Sequence, residues 1–164
     1  MSRARRLSRT LITISRARAY RACPRYHHYQ YDQLLSPIDD ESLARFGTAG
    51  HAGLETWLLA KQAGCSAEVA IGDAQLVAAA SAHAAGLDAF ELERLAAVLD
   101  GYHLMWWDAP YNVLAVEQQF RVPLIDQSTG EPSALDQGGK MDAIVQDSRS
   151  GHVLVQEHKF TKED

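Results

Sequence analysis

Near Pro110 the apolar pattern of this 164-residue chain changes period, and that change restricts what it can fold into. Upstream, apolar residues recur at helical spacing; downstream they alternate. The stretch "LARFGTAGHAGLETWLLAKQ", Leu43 to Gln62, places Phe46, Leu54, Trp57 and Leu58 at helical positions. "DAQLVAAASAHAAG" reads as an alanine-rich helix stopped by Gly86. "DAFELERLAAVLDGYHLMWWD" opens on Asp88 as a cap and carries Phe90, Leu92, Leu95, Val98 and Leu99 on or near one stripe. Tyr102, Trp106 and Trp107 end that helix and read as core rather than as base-stacking groups. Beyond Pro110, "YNVLAVEQQFRVPLID" reads as a strand, and "KMDAIVQD" and "HVLVQEHKF" as two more joined through "DSRSG", with "STGEPSALDQGG" as a long loop. Helices followed by a strand meander give an α/β fold, α+β by element order.

The length and the 46% hydrophobic content suit one domain with a core. The expected division is a basic, disordered arm over 1–13 and a single domain over 14–164. The apolar stretch "LVAAASAHAAGL" is short and interrupted by His83, which excludes it as a bilayer span. Cys23 and Cys65 form no C-x-x-C pair, and a reducing, cytoplasmic compartment is the expectation.

The net charge of -5 conceals an asymmetry. Residues 1–31 hold eight arginines and no acid, leaving 8 bases against 21 acids in the remainder. Such a front attracts a polyanion, because arginines displace condensed counterions from phosphates. Within "SRARAYRACPRYHHYQYDQLL" the cations Arg16, Arg18, Arg21 and Arg25 alternate with aromatics, Tyr26 among them, and form the candidate DNA-binding set. Ser15 is the expected helix cap there, and Pro24 marks a break. Pro37 is expected in a turn, with Asp40 or Ser42 capping the next helix.

Gly47, Gly50 and Gly53 thin one side of the Leu43–Gln62 helix and imply close approach of a backbone or ligand. His51 and Glu55, four apart, share a face. Near the end stands "GGKMDAIVQDSRSGHVLVQEHKF". If its two halves pair as a hairpin, Asp142 and Glu157 come to the same end of adjacent strands, and Glu157 and Lys159 point to one face. Two converging carboxylates suit Mg2+ or Mn2+, and a neighbouring lysine can position a water or offset charge on a phosphate.

Taken in order, these segments resemble the PD-(D/E)xK nuclease superfamily, and more narrowly its RecB-like branch of helicase-nucleases, CRISPR-associated exonucleases and phage recombination exonucleases. "GGKMD" is similar to the Gly-x-x-Asp element at Gly139 to Asp142, "QEHK" to the acidic-x-Lys element at Glu157 to Lys159, and "GTAGHAGLE" to the helix that contributes His51. "SRARAYRACPRYHHYQY" is similar to the family's N-terminal Ser…Cys-Pro…Tyr helix, with Cys23, Pro24 and Tyr31 in matching places. The resemblance implies a restriction-endonuclease-like core and metal-assisted hydrolysis of DNA. It implies metal ligation by His51, Asp142, Glu157 and the carbonyl of His158, and orientation of the nucleophile by Lys159. Glu117 and Glu55 are supporting residues. DNA is the implied partner, with a helicase or recombination protein as a further candidate. No iron–sulfur cluster is expected, because Cys23 lacks the three C-terminal cysteines that accompany it in some relatives. Relatives continue past the lysine into a helix bearing Gln-x-x-x-Tyr, whereas this sequence ends at "TKED". The expectation is therefore an incomplete domain that holds metal but cleaves DNA weakly by itself.

Overall fold

The computed structural model describes residues 10–35 and 42–160. The first nine residues of the basic arm, Pro37, Asp40 and the Ser42 side chain lie outside the described residues, and so do the expectations placed on them. The elements are β1 (Thr10–Thr13), α1 (Ile14–Ala22), α2 (Pro24–His27), a π-helical turn (His28–Asp32), α3 (Ser42–Gln62), α4 (Ala67–Ala84), α5 (Ala89–Trp106), β2 (Tyr111–Ile125), β3 (Pro132–Asp147) and β4 (Val153–Gln156). Helices precede the long strands, as the change of period at Pro110 implies. The chain divides into two units, Met1–Ile38 with Gln119–Lys140 and Asp39–Gln118 with Met141–Asp164. Strands β2 and β3 each contribute one half to either unit.

In the first unit β1 pairs in parallel with β3, from Thr10 opposite Leu135 to Thr13 opposite Gly138. The arm expected to be disordered through residue 13 thus ends in a strand. Helix α1 follows at once and is capped by Thr13, whose Oγ1 accepts the Arg16 N–H at 3.2 Å, two residues before the expected Ser15. Pro24 opens α2, where its missing N–H costs nothing, and Cys23 caps that helix by accepting the Tyr26 N–H at 3.4 Å.

The long loop expected over "STGEPSALDQGG" is a correction: only Asp126–Glu131 separates β2 from β3, and β3 begins at Pro132. Asp126 organises the turn by accepting the Ser128 N–H and O–H at 2.8 and 2.6 Å, which hold its carboxyl below the usual carboxylate range. The glycines that suggested a loop serve the strand instead. The Leu11 side chain lies where a Cβ on Gly138 would stand, and the Phe120 ring where one on Gly139 would. A salt bridge from Arg121 Nε to Asp136 Oδ2 at 2.6 Å joins β2 to β3 here.

In the second unit the helices pack through small residues. Ala70, Ala74, Ala78 and Ala82, spaced four apart on α4, are all buried. Gly53 of α3 meets that stripe: a Cβ there would stand 3.0 Å from Ala78 Cβ, 3.0 Å from Leu99 Cδ1 and 3.1 Å from the Ala74 carbonyl oxygen. The glycine spacing therefore does mark a close approach. Gly53→Ala is expected to destabilise the protein, because overpacking of about 1–3 kcal/mol exceeds the gain in helix propensity of up to about 1 kcal/mol. Gly72→Ala, with nothing within 4 Å of the added Cβ, is expected to stabilise by about 0.5–1 kcal/mol. Urea unfolding of both variants checks the opposite signs.

Asp88 caps α5 through a complete capping box with Glu91. Leu95 and Leu99 are buried as expected, while Phe90, placed on the same stripe by the sequence, is 75% exposed. Phe90 sits in the first turn of α5. Trp57, Leu58, Val113, Ala143 and Val145 form a core where α3 meets β2 and β3, and Tyr102 packs against it. Lys61 joins the helices to the sheet, donating to the carbonyls of Trp106 and Trp107 at 2.9 and 2.6 Å and lying 4.2 Å from the centre of the Tyr111 ring. The carbonyls at the end of α5 need such a donor. Burial lowers the Lys61 pKa, and Asp108 opposes the shift. Among the described residues no helix is long and apolar enough to cross a membrane.

Candidate metal centre

Three elements of the second unit each deliver one ligand-type side chain to the same place: His51 from α3, Glu117 from β2 and Asp142 from β3. One ligand atom from each lies within 4.8 Å of the other two. Ligands on opposite sides of an ion, at about 2.1–2.4 Å each, stand about 4.2–4.8 Å apart, so the three atoms fit around one divalent cation. Two carboxylates and an imidazole suit a hard or borderline ion, and three protein ligands leave positions for water or substrate.

Glu117 occupies its place through an unusual backbone. Its φ is 53°, in the left-handed region, in the middle of a 15-residue strand. A residue with a Cβ there costs about 1–2 kcal/mol, a strain that clusters at functional sites when packing over-determines it. The sequence places Glu117 on a β-period segment as a supporting residue, and the departure from extended geometry is invisible in that pattern.

Asp142 is held from the other side. Its Oδ2 accepts the backbone N–H of His158 at 2.7 Å and stands 3.8 Å from His51 Nδ1 and 3.7 Å from His158 Nδ1. The expected hairpin forms, antiparallel with Ala143 opposite Gln156, and this bond explains why its second strand is shorter than expected. Strand β4 pairs with β3 only from Val153 to Gln156, so Glu157 and Lys159 lie beyond the strand. A side-chain acceptor takes the N–H that a continuing ladder would use. The Glu157 carboxylate pairs with Lys159 Nζ at 3.6 Å, both side chains exposed at 46% and 75%. Glu157 is thus outside the three-residue group, and Glu55, half-buried one turn beyond His51, is outside it too.

The described segment after β4 is held at His158 and Phe160. Phe160 lies where a Cβ on Gly50 would stand, its ring edge-on to His51 at 5.3 Å and to Phe46 at 6.0 Å. The close approach implied by Gly50 is therefore an aromatic ring beside a candidate ligand. His158 is fixed by a residue that sequence reading assigned to the core alone. Gln156 Nε2 donates to the Tyr102 hydroxyl at 3.0 Å, and that hydroxyl lies 3.0 Å from His158 Nε2. Burial raises the Tyr102 pKa and keeps the hydroxyl protonated. Burial also pushes the His158 pKa below the usual histidine value, against the pull of Asp142. The only signal for Tyr102 was its place on the stripe of Leu95 and Leu99; nothing in the pattern showed its partner.

In the first unit the candidate DNA-binding residues separate into two kinds. Arg18, Arg21, Arg25 and Tyr26 are exposed on α1 and α2. Arg16 is half-buried and internally engaged, donating from Nε to His27 Nε2 and from Nη2 to Asp32 Oδ1, both at 3.1 Å, with its guanidinium 5.5 Å from the Tyr31 ring centre. Arg16 thus already has partners within the protein.

No curated protein matches the chain. A family model does, and its match extends over nearly the whole sequence. The helices and mixed sheet agree with the restriction-endonuclease-like fold of that family. With residues 11–164 matched, the chain belongs to the PD-(D/E)XK nuclease superfamily.

Proposed function

We propose that this chain is a metal-dependent deoxyribonuclease, an exonuclease of the RecB-like branch that serves DNA recombination, repair or phage DNA processing in the cytoplasm of a bacterial or phage-infected cell. The observation that carries the reading is the meeting of His51, Glu117 and Asp142 within 4.8 Å, from three separate elements. Those side chains hold Mg2+ or Mn2+, and the imidazole favours Mn2+. An ion held there would lower the pKa of a water and offset charge on the scissile phosphate. Glu157 and the His158 carbonyl complete the ligand set, Tyr102 and His158 keep the Asp142 carboxylate oriented, and Lys159 orients the nucleophile. Arg18, Arg21, Arg25 and Tyr26 meet the DNA, and a helicase or recombination protein is the expected partner.

The test is release of nucleotides from linear single- and double-stranded DNA with Mn2+, Mg2+ or chelator. Cleavage is expected with Mn2+ at least as fast as with Mg2+, and none with chelator. Lys159→Ala is expected to lower the rate by about 100-fold or more while Mn2+ affinity stays within about two-fold. One observation favours a second reading, a DNA-binding module that has lost hydrolysis: Lys159 is 75% exposed and paired with Glu157 rather than with the three-residue group. Metal binding without Lys159-dependent cleavage selects that second reading.

A further inference from the structure

The first unit contains a groove of about 490 Å3 between α1, β1, β3 and α2. Its lining combines the apolar Ile12, Ala17 and Leu135 with Tyr20, Arg16, Arg21 and His27. The volume is in the range of about 300–1,000 Å3 that accepts a small organic ligand such as a nucleotide. Tyr20 is 58% exposed, a large apolar ring that the fold does not cover. The ring is nevertheless held: it meets His27 edge-on at 5.3 Å and 90°, and His27 is itself fixed by the Arg16 Nε bond at 3.1 Å. Tyr20 and Arg21 both line the groove, so an aromatic ring and a guanidinium border the same space.

We propose that this groove is a base-stacking subsite for single-stranded DNA, in which an unpaired base enters along the apolar lining against Tyr20 while Arg21 meets the neighbouring phosphate. The assignment rests on the nuclease reading and specifies which form of DNA the first unit receives. Charge complementarity selects a polyanion, since residues 1–31 hold eight arginines and no acid. The ring and the apolar lining then select among polyanions. An acidic peptide answers the arginines but has no flat face to offer Tyr20. A duplex presents its phosphates and keeps its bases stacked inside, so it also gains nothing from the groove. An unpaired strand engages both features, because stacking on an aromatic ring is available to every base.

The experiment measures binding of the full chain, in chelator so that nothing is cleaved, to a labelled oligothymidylate and to a duplex of the same length. Tyr20→Ala is expected to weaken single-strand binding by about five- to a hundred-fold and duplex binding by less than about two-fold. Tyr20→Phe retains the ring and is expected to bind within about two-fold of the parent. Arg21→Ala is expected to weaken both DNAs and lower the salt slope by about one. Unchanged single-strand binding by Tyr20→Ala, an equal loss on both DNAs, or equally effective competition by polyglutamate would overturn the proposal. Because no metal is present, these outcomes are independent of hydrolysis. Loss of the subsite with Mn2+-dependent cleavage intact removes only this inference, and specific single-strand binding without cleavage removes only the nuclease reading.

Discussion

Asp142→Ala is expected to abolish measurable binding of Mn2+ and Mg2+ and, with it, DNA cleavage. Loss of an outer-sphere partner commonly costs about 10–100-fold in metal affinity, and loss of an anionic ligand from a three-residue group exceeds that. The variant also has a structural cost. Asp142 Oδ2 accepts the His158 N–H at 2.7 Å, and a buried donor left without an acceptor costs about 1–3 kcal/mol. Asp142→Asn separates the two effects, because the amide oxygen still accepts that N–H while the negative charge is gone. Metal affinity should collapse in both variants, and stability should fall chiefly in the alanine one. Isothermal calorimetry with Mn2+ and urea unfolding in chelator check the pair. Mn2+ affinity unchanged in Asp142→Asn would remove this aspartate from the candidate site.

The second large effect is expected at Glu117, where function and stability should part. Glycine tolerates the left-handed φ of 53° without the penalty of about 1–2 kcal/mol that a side chain carries, at a cost of about 0.5–1 kcal/mol in unfolded-chain entropy. Glu117→Gly should therefore keep its stability within about 1 kcal/mol in chelator while metal affinity falls at least as far as for an outer-sphere partner. The parent should gain about 2.7 kcal/mol at a Mn2+ concentration 100 times its dissociation constant, and the variant should gain nothing at that concentration. A Glu117→Gly protein that binds Mn2+ normally but unfolds easily would identify this glutamate as a structural residue.

Several individual positions could be read directly from the chain. Asp88 caps α5 because an Asp three residues before a Glu satisfies two orphan N–H groups by itself. Leu95 and Leu99 are buried because a four-residue spacing puts them on one helix face. His51 and Asp142 were identifiable as ligand candidates from residue type and segment order. Other readings failed where a local pattern was overridden at long range. Gly138 and Gly139 look like turn residues, yet side chains from Leu11 and Phe120 need the room on an extended strand. Glu157 and Lys159 alternate as strand residues should, but the Asp142 carboxylate takes the His158 N–H and ends the ladder.

The sequence by itself determined the order of the long helices and strands, the Asp88 cap, the split between a basic front and an acidic remainder, and the residue types able to hold a metal. Those properties depend on spacing and chemistry within a few residues of one another, where the geometry of helix and strand is known in advance. Only the tertiary structure decided which carboxylate joins His51 and Asp142, because Glu117 lies 25 residues from one and 66 from the other and reaches them through a positive φ that no periodicity encodes. It likewise decided that Arg16 bonds His27 and Asp32, and that Tyr102 meets His158 from 56 residues away. Such pairings depend on where the packing of distant segments leaves each polar group, and burial makes an unmet donor or acceptor too costly to leave to chance.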